Sequence, residues 1–213
     1  MFVSSIKVAI LGIPGNGPFP NDLPEPLIVQ YFQEFDQFVQ SSNDIYIDTE
    51  FSHHPARVNA LEQLLPGIIL VNAVTFSAEE LPSGLTRYNG WPGFGAGGVL
   101  EIAGEADQIP EILLQFTMAC GLTCIAVPGQ PGLVQARVVA MMINEAYHAL
   151  GEEVSTRDEI DIAMKLGTNY PYGPFEWAER IGLHRIVALL EKMAQKEPKY
   201  QPAPGMVATL QQA

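Results

Sequence analysis

Apolar residues follow two regimes along the chain. Up to about residue 128, short continuous apolar runs alternate with segments of helical spacing; beyond it only the helical spacing remains. Residues 7–12 (KVAILG), 44–48 (DIYID), 67–72 (GIILVN), 99–103 (VLEIA) and 122–127 (LTCIAV) read as strands. Runs apolar at consecutive positions suit strands covered on both faces of a parallel sheet. Leu27, Ile28, Tyr31, Phe32, Phe35 and Phe38 form a stripe that predicts a helix over 27–40. Residues 55–65 read as a helix with Pro55 in its first turn, 77–81 as a short helical turn, and 109–120 as a helix between two strands. Strand and helix in alternation indicate parallel α/β packing. The segment 13–26 carries five prolines, and no helix runs through so many missing donors.

The second half is helical. Residues 132–150 are apolar almost all round, which predicts a helix buried in a bundle or an oligomer interface. The stretch Ser155-Thr156-Arg157-Asp158-Glu159 is a capping-box signature for a helix stopping at Gly167. Further helices are predicted over 173–182 and 183–196, and Pro198, Pro202 and Pro204 predict an extended tail. The domains are therefore 1–128, α/β, and 129–213, all-α.

Charge narrows the function. With 24 acidic and 11 basic residues the formal charge is −13. Nucleic-acid backbones and anionic membrane surfaces both require clustered Lys and Arg, so neither is expected as a partner. No apolar run reaches the roughly 18 residues of a membrane span, and residues 1–7 lack the pattern of a signal peptide, so a cytoplasmic location is expected. Cys120 and Cys124 are four apart, not the C-x-x-C spacing, and read as small core hydrophobes; no metal site is expected.

Gly12, Gly15 and Gly17 follow the first strand but are spaced G-x-x-G-x-G and run into prolines. The dinucleotide fingerprint needs G-x-G-x-x-G running directly into a helix, whose N-terminus holds the pyrophosphate, so no nucleotide cofactor is expected there. His53 and His54 lie in a loop after a strand, where α/β folds place ligand-contacting groups. The loop 87–98 holds five glycines and three aromatics, which allow close backbone approach and a pocket wall, or else a flexible linker with a packed Trp. Glu101 follows within an apolar strand. A carboxylate there requires a partner or a raised pKa, so it is a candidate acid/base or half of a buried ion pair.

The helical half carries a family signature. The segments PGLVQAR from Pro131, Asn144-Glu145-Ala146, DIAMKLG from Asp161, YPYGPFE from Tyr170 and Ile181-Gly182-Leu183 closely resemble the C-terminal domain of the 3-hydroxyacyl-CoA dehydrogenases over some 60 residues. Ile47-Asp48-Thr49, NAVTFSAEEL from Asn72 and VLEI from Val99 are similar, less closely, to that family's nucleotide-binding domain. The resemblance implies a shortened Rossmann-like parallel sheet domain followed by an all-α dimerisation domain, with most of the first dinucleotide-binding unit missing. It implies a homodimer and a small-molecule, acyl-CoA-like ligand in fatty acid metabolism.

Family members use a histidine base oriented by a glutamate, with a serine and an asparagine near the substrate oxygen. Carried over, the glutamate is Glu101 and the histidine position, counted without gaps, is Asn89. The serine falls on Val74 or Thr75 and the asparagine on Ala136. A family lysine maps to Arg57. Asn72 and Arg137, with Arg57, His53 and His54, complete the expected substrate contacts. Two functions follow from this inventory. One is an NAD-linked 3-hydroxyacyl-CoA oxidoreductase, if the family activity is retained. The other is a catalytically inactive member that binds an acyl-CoA-like ligand or a partner, because Asn cannot take the hydroxyl proton.

Overall fold

The computed structural model describes residues 5–15, 17–20, 23–95 and 98–212. Residues 1–4 of the N-terminal segment, and Ala96 and Gly97 of the glycine-rich loop, lie outside the described residues. The chain divides into two compact units, Met1–Leu133 and Val134–Ala213. The first unit reaches Leu133 because the segment after the last strand is bonded back to it. Ala78 N–H donates to the Gly129 carbonyl at 2.8 Å, and Gly132 N–H donates to that of Val74 at 2.7 Å.

The first unit contains a five-stranded sheet with the order β2-β1-β3-β4-β5: β1 (Ile6–Leu11), β2 (Leu27–Phe32), β3 (Ile45–Asp48), β4 (Ile68–Val71) and β5 (Leu85–Arg87). All its pairings are parallel, so the sheet is doubly wound around β1. Helices α1 (Phe35–Gln40) and α2 (Pro55–Glu62) follow β2 and β3. A second parallel pair, β6 (Val99–Ala103) and β7 (Thr123–Val127), is joined by α3 (Glu111–Ala119). It meets the end of β5 through an antiparallel bridge between Tyr88 and Ile102.

The period of two along each strand sorts the core into two layers. Val8, Ile10, Ile45, Ile47 and Leu70 pack with Leu100, Leu113 and Phe116. Their neighbours Ala9, Leu11, Tyr46, Ile69 and Val71 pack with Phe38, Val58 and Leu61 of α1 and α2. Both faces of the central strands are covered, as continuous apolar runs require.

Residues 27–40 are not one helix. Leu27–Phe32 forms an edge strand with Ile28 exposed, and the helix begins only at Phe35. The positions 27, 28, 31, 32 and 35 fit a helical stripe, but Leu27, Val29 and Tyr31 also alternate with exposed Ile28 and Gln30. Pairing with β1 decides in favour of the strand. The strand β5, three residues long, lacks a readable pattern.

The second unit packs α4 (Gln135–Gly151) against α6 (Pro174–Ile181), α7 (Leu183–Ala194) and α8 (Pro204–Gln212), with α5 (Arg157–Thr168) against α6. Helix α5 begins at the expected capping box, in which Thr156 accepts from Glu159 N–H. The buried Asp161 accepts from the N–H groups of Phe175 (2.8 Å) and Glu176 (3.2 Å), capping the first turn of α6. A side chain at Gly173 would collide with that carboxylate, its Cβ falling 2.3 Å from Asp161 Oδ1.

The proline-rich tail is not extended throughout. A short 3-10 turn precedes α8, with Pro204 in the helix's first turn where its missing donor costs nothing. Buried Asn144 of α4 holds the approach to that helix. Its Nδ2 donates to the Gln201 carbonyl (3.0 Å) and its Oδ1 accepts from Ala203 N–H (2.7 Å). Among the described residues no helix is long and apolar enough to cross a membrane.

Both cysteines are free. Burial pushes the Cys120 thiol up to about 12 and that of Cys124 to about 11, from an ordinary 9.0. Their protonated forms favour the fold, so this contribution is complete below pH 9 and is lost as pH rises through about 11 to 12. Reaction of the native protein with DTNB at pH 8 is expected to be at least ~100-fold slower than that of free cysteine, because the thiolate is the nucleophile. Rapid release of two equivalents would contradict this.

Candidate functional site

In a doubly wound sheet, ligands enter over the carboxyl ends of the strands, where the strand order reverses. Here that point lies between β1 and β3. Thr49 Oγ1 donates to the Leu11 carbonyl at 2.6 Å and occupies the space a side chain at residue 12 would need. A Cβ on Gly12, whose φ is +137°, would fall 2.1 Å from that oxygen.

The strand that ends beside it closes on an acid. Asp48 extends the alternation of Tyr46 towards α2, and its carboxylate is fully buried. Arg57 of α2 reaches it with two bonds, Nε to Oδ2 at 2.8 Å and Nη2 to Oδ1 at 2.7 Å, and Glu50 N–H adds a third at 3.0 Å. The same guanidinium lies 4.5 Å from the centre of the Phe35 ring. Arg57, carried over as a substrate contact, is therefore engaged within the protein.

Asn72 stands just beyond β4. Its Nδ2 donates to the Thr49 carbonyl and its Oδ1 accepts from Gly90 N–H, both at 3.1 Å. It ties the β3 end to the loop after β5. Residue 90 is confined to glycine, since a Cβ there would lie 2.6 Å from the Asn72 carboxamide carbon.

Glu101 and Asn89 are brought together. Both are buried, and Asn89 N–H donates to the Glu101 carbonyl at 3.0 Å. The Asn89 side chain accepts from Trp91 N–H at 3.3 Å, and its Nδ2 has no hydrogen-bond partner among the described residues. An amide at this place donates and accepts hydrogen bonds but takes no proton near neutral pH. Tyr88, also buried, has its hydroxyl pKa raised well above the ordinary value by burial and then by the Asp48 charge.

His53 and His54 are exposed just before α2, the former with its ring 5.4 Å from that of Phe76. Thr75 is half-buried in the loop after β4. Ala136 and Arg137 belong to the helical unit, where Arg137 Nη1 donates to the Tyr200 hydroxyl at 3.3 Å.

The proline-rich loop packs over this rim. Phe19 is buried with ring centres 6.0 Å from Tyr88 and 5.4 Å from Phe116. Gly95 lies so close that its Cβ would fall 2.3 Å from the Pro18 carbonyl oxygen. Trp91 and Phe94 of the glycine-rich loop are buried as well. The space left among Ile10, Gly15, Gly17, Phe19, Tyr31 and Thr49 is about 10 Å³, room for one water. Among the described residues no helix follows β1, so the amide-lined helix end that cradles a pyrophosphate is missing. These residues do not fit a dinucleotide in the usual place.

Residues 132–212 match the family model of the 3-hydroxyacyl-CoA dehydrogenase C-terminal domain. The helical unit is similar to the C-terminal domain of the 3-hydroxyacyl-CoA dehydrogenases. The family resemblance of the sequence is thus borne out. The chain is 39% identical to the 3-hydroxyadipyl-CoA dehydrogenase of Escherichia coli over 112 residues, 50% of this chain and 24% of that protein. It is 30% identical to a probable 3-hydroxyacyl-CoA dehydrogenase of Caenorhabditis elegans over 143 residues, 63% and 48% of the two. Over its matches to such curated relatives the chain spans about a quarter to a half of their length. The (S)-3-hydroxybutyryl-CoA dehydrogenase PaaH1 of Ralstonia eutropha shares the fold, with a TM-score of 0.71 at 22% identity, covering 98% of this chain and 94% of that one.

Sequence reasoning missed Asp48 as a structural anchor, and it missed Phe19. The signal for the first is an acid closing an apolar strand nine residues before an arginine in the first turn of a helix. Substituting Arg57 by alanine leaves the buried carboxylate with one backbone donor. The expected loss is about 3 kcal/mol in urea unfolding. A loss below about 1 kcal/mol would show that the pair is not a support of the fold.

Proposed function

We propose that this chain is a member of the 3-hydroxyacyl-CoA dehydrogenase family without hydride transfer, acting as a homodimeric binding protein for an acyl-CoA-like thioester. The observation that carries this reading is the narrow space at the β1–β3 switch point, with Thr49 packed against Gly12 and Phe19 in its wall, where a nicotinamide dinucleotide would enter. Asn89 beside Glu101 supports it, since the residue at the base position has no protonatable nitrogen near neutral pH. Loss of a general base alone lowers rates by about 10² to 10⁴. The family of the helical unit supports the ligand class.

NADH titrated into the protein is expected to give no saturable change in nucleotide fluorescence, and acetoacetyl-CoA with NADH no turnover. Acetoacetyl-CoA alone is expected to raise the melting temperature. Saturable NADH binding with turnover would restore the oxidoreductase reading.

The dimer is supported by apolar side chains left uncovered on the helical unit. Val134 and Val138 of the α4 region are 48% and 51% exposed, and Ile162 and Leu166 of α5 are 53% and 83% exposed. Light scattering at micromolar concentration is expected to give twice the chain mass. The double substitution Val138→Glu, Leu166→Glu is expected to give a folded monomer. A monodisperse wild-type monomer would refute the dimer.

A further inference from the structure

The second parallel pair ends on an unpaired strand. β7 is bonded to β6 on one side and to no strand on the other. The ladder decides which main-chain groups are used. Thr123 N–H donates to the Gly98 carbonyl at 2.7 Å, and the Val127 carbonyl accepts from Gly104 N–H at 3.0 Å. Residues 123, 125 and 127 therefore turn their main-chain groups to β6. By the same alternation Cys124 and Ala126 turn theirs outward, and among the described residues neither finds a main-chain partner there.

The side chains leave this edge open and uncharged. Thr123 is exposed and Ile125 is 41% exposed on one face, while Cys124 packs against the cluster of Leu100 and Phe116 on the other. Charge around the edge is of one sign. Residues 88–136 contain Glu101, Glu105, Asp107 and Glu111 and no Lys, Arg or His. The last three acids are exposed, and the short turn over 106–108, which carries Asp107, packs against β7. Residues 1–133 as a whole hold 14 acids against Lys7, Arg57 and Arg87, a formal charge of −11. Arg57 is bound to Asp48 and Arg87 is buried, so of these three cations only Lys7 is exposed.

We infer that the free edge of β7 binds an extended peptide in which apolar residues alternate with Lys or Arg, its main chain bonding to the outward groups of Cys124 and Ala126. Strand addition takes its affinity from main-chain bonds and its selectivity from alternate side chains. The apolar side chains of the peptide lie beside Thr123 and Ile125, and its cations are drawn by the uncompensated acids of the unit. A second copy is disfavoured at the same edge, because two units of −11 would meet there. The inference rests on the strand edge and its charge, not on the thioester reading.

The probes are the heptapeptide Lys-Val-Lys-Val-Lys-Val-Lys, acetylated and amidated, and its counterpart with Glu in place of Lys, each labelled for fluorescence anisotropy with the full chain. The Lys peptide is expected to bind saturably, about tenfold or more tighter than the Glu peptide, and to weaken several-fold as salt rises from about 50 to about 300 mM. Amide exchange followed by NMR is expected to slow about tenfold or more at Cys124 and Ala126 in the complex, with Thr123 and Ile125, already in the ladder, unchanged. Ala126→Pro removes an outward donor that the β6 ladder does not use, a change an edge strand tolerates. Where it folds, it is expected to weaken the Lys peptide about tenfold or more. Ile125→Lys, at an exposed position, is expected to fold and to weaken the Lys peptide several-fold by repulsion. Equal affinity for the two peptides would overturn the inference. So would protection at β2 in place of β7, full affinity in folded Ala126→Pro, no effect of Ile125→Lys, or no saturable binding of the Lys peptide. Because no nucleotide or thioester is used, failure here is separate from failure of the proposed function.

Discussion

The buried pair of Asp48 and Arg57 sits where the α/β unit is most constrained. It joins the end of a central strand to the helix that follows and, through the Phe35 ring, to the helix before. Around it the side chains of Thr49 and Asn72, at the carboxyl ends of β3 and β4, are bonded within the protein. Thr49 bonds to Leu11, and Asn72 bonds to Thr49 and Gly90. A rim of this kind normally keeps donors and acceptors for a ligand. Here the same groups hold strand ends and loops together, and the ladder between β1 and β3 is sealed by Gly12 and Thr49 in contact.

The helical unit follows different constraints. Its polar interior residues, Asn144 and Asp161, each bind two backbone groups and fix where a helix or tail begins. These are structural duties that a sequence retains irrespective of what chemistry the neighbouring unit performs. A well-kept helical signature therefore carries no statement about the chemistry of the α/β unit. The requirements of packing and of hydride transfer fall on different residues.

Much of the fold was legible in the sequence. Strands buried on both faces leave apolar runs, and β1, β3, β4 and β6 are such runs; β7 also reads as one although Thr123 and Ile125 are exposed. The capping signals at Thr156 and Pro174 placed two helix starts. The edge strand β2 was not legible, because Leu27, Ile28, Tyr31, Phe32 and Phe35 satisfy a period of 3.6 and nearly satisfy a period of two; only the partner strand separates them. Helix α8 was hidden by prolines that read as breakers but lie in a first turn. At the candidate site, the closeness of Asn89 and Glu101 followed from counting along the resemblance. The internal engagement of Arg57 did not, since whether a cation is bonded depends on which carbonyls and acids the folded chain brings near it.

The outer flank of β2 has an implication for handling the protein. Leu27–Phe32 borders the sheet with no charged residue in its length, and Ile28 is 53% exposed beside it. Natural sheets blunt such borders with lysine, an internal proline or a covering segment. Lacking a charge here, the strand offers a row of main-chain donors and acceptors to any extended peptide, including another unfolded copy. Solubility during refolding would be governed at this margin, and a lysine at Gln30 is the smallest change that would guard it.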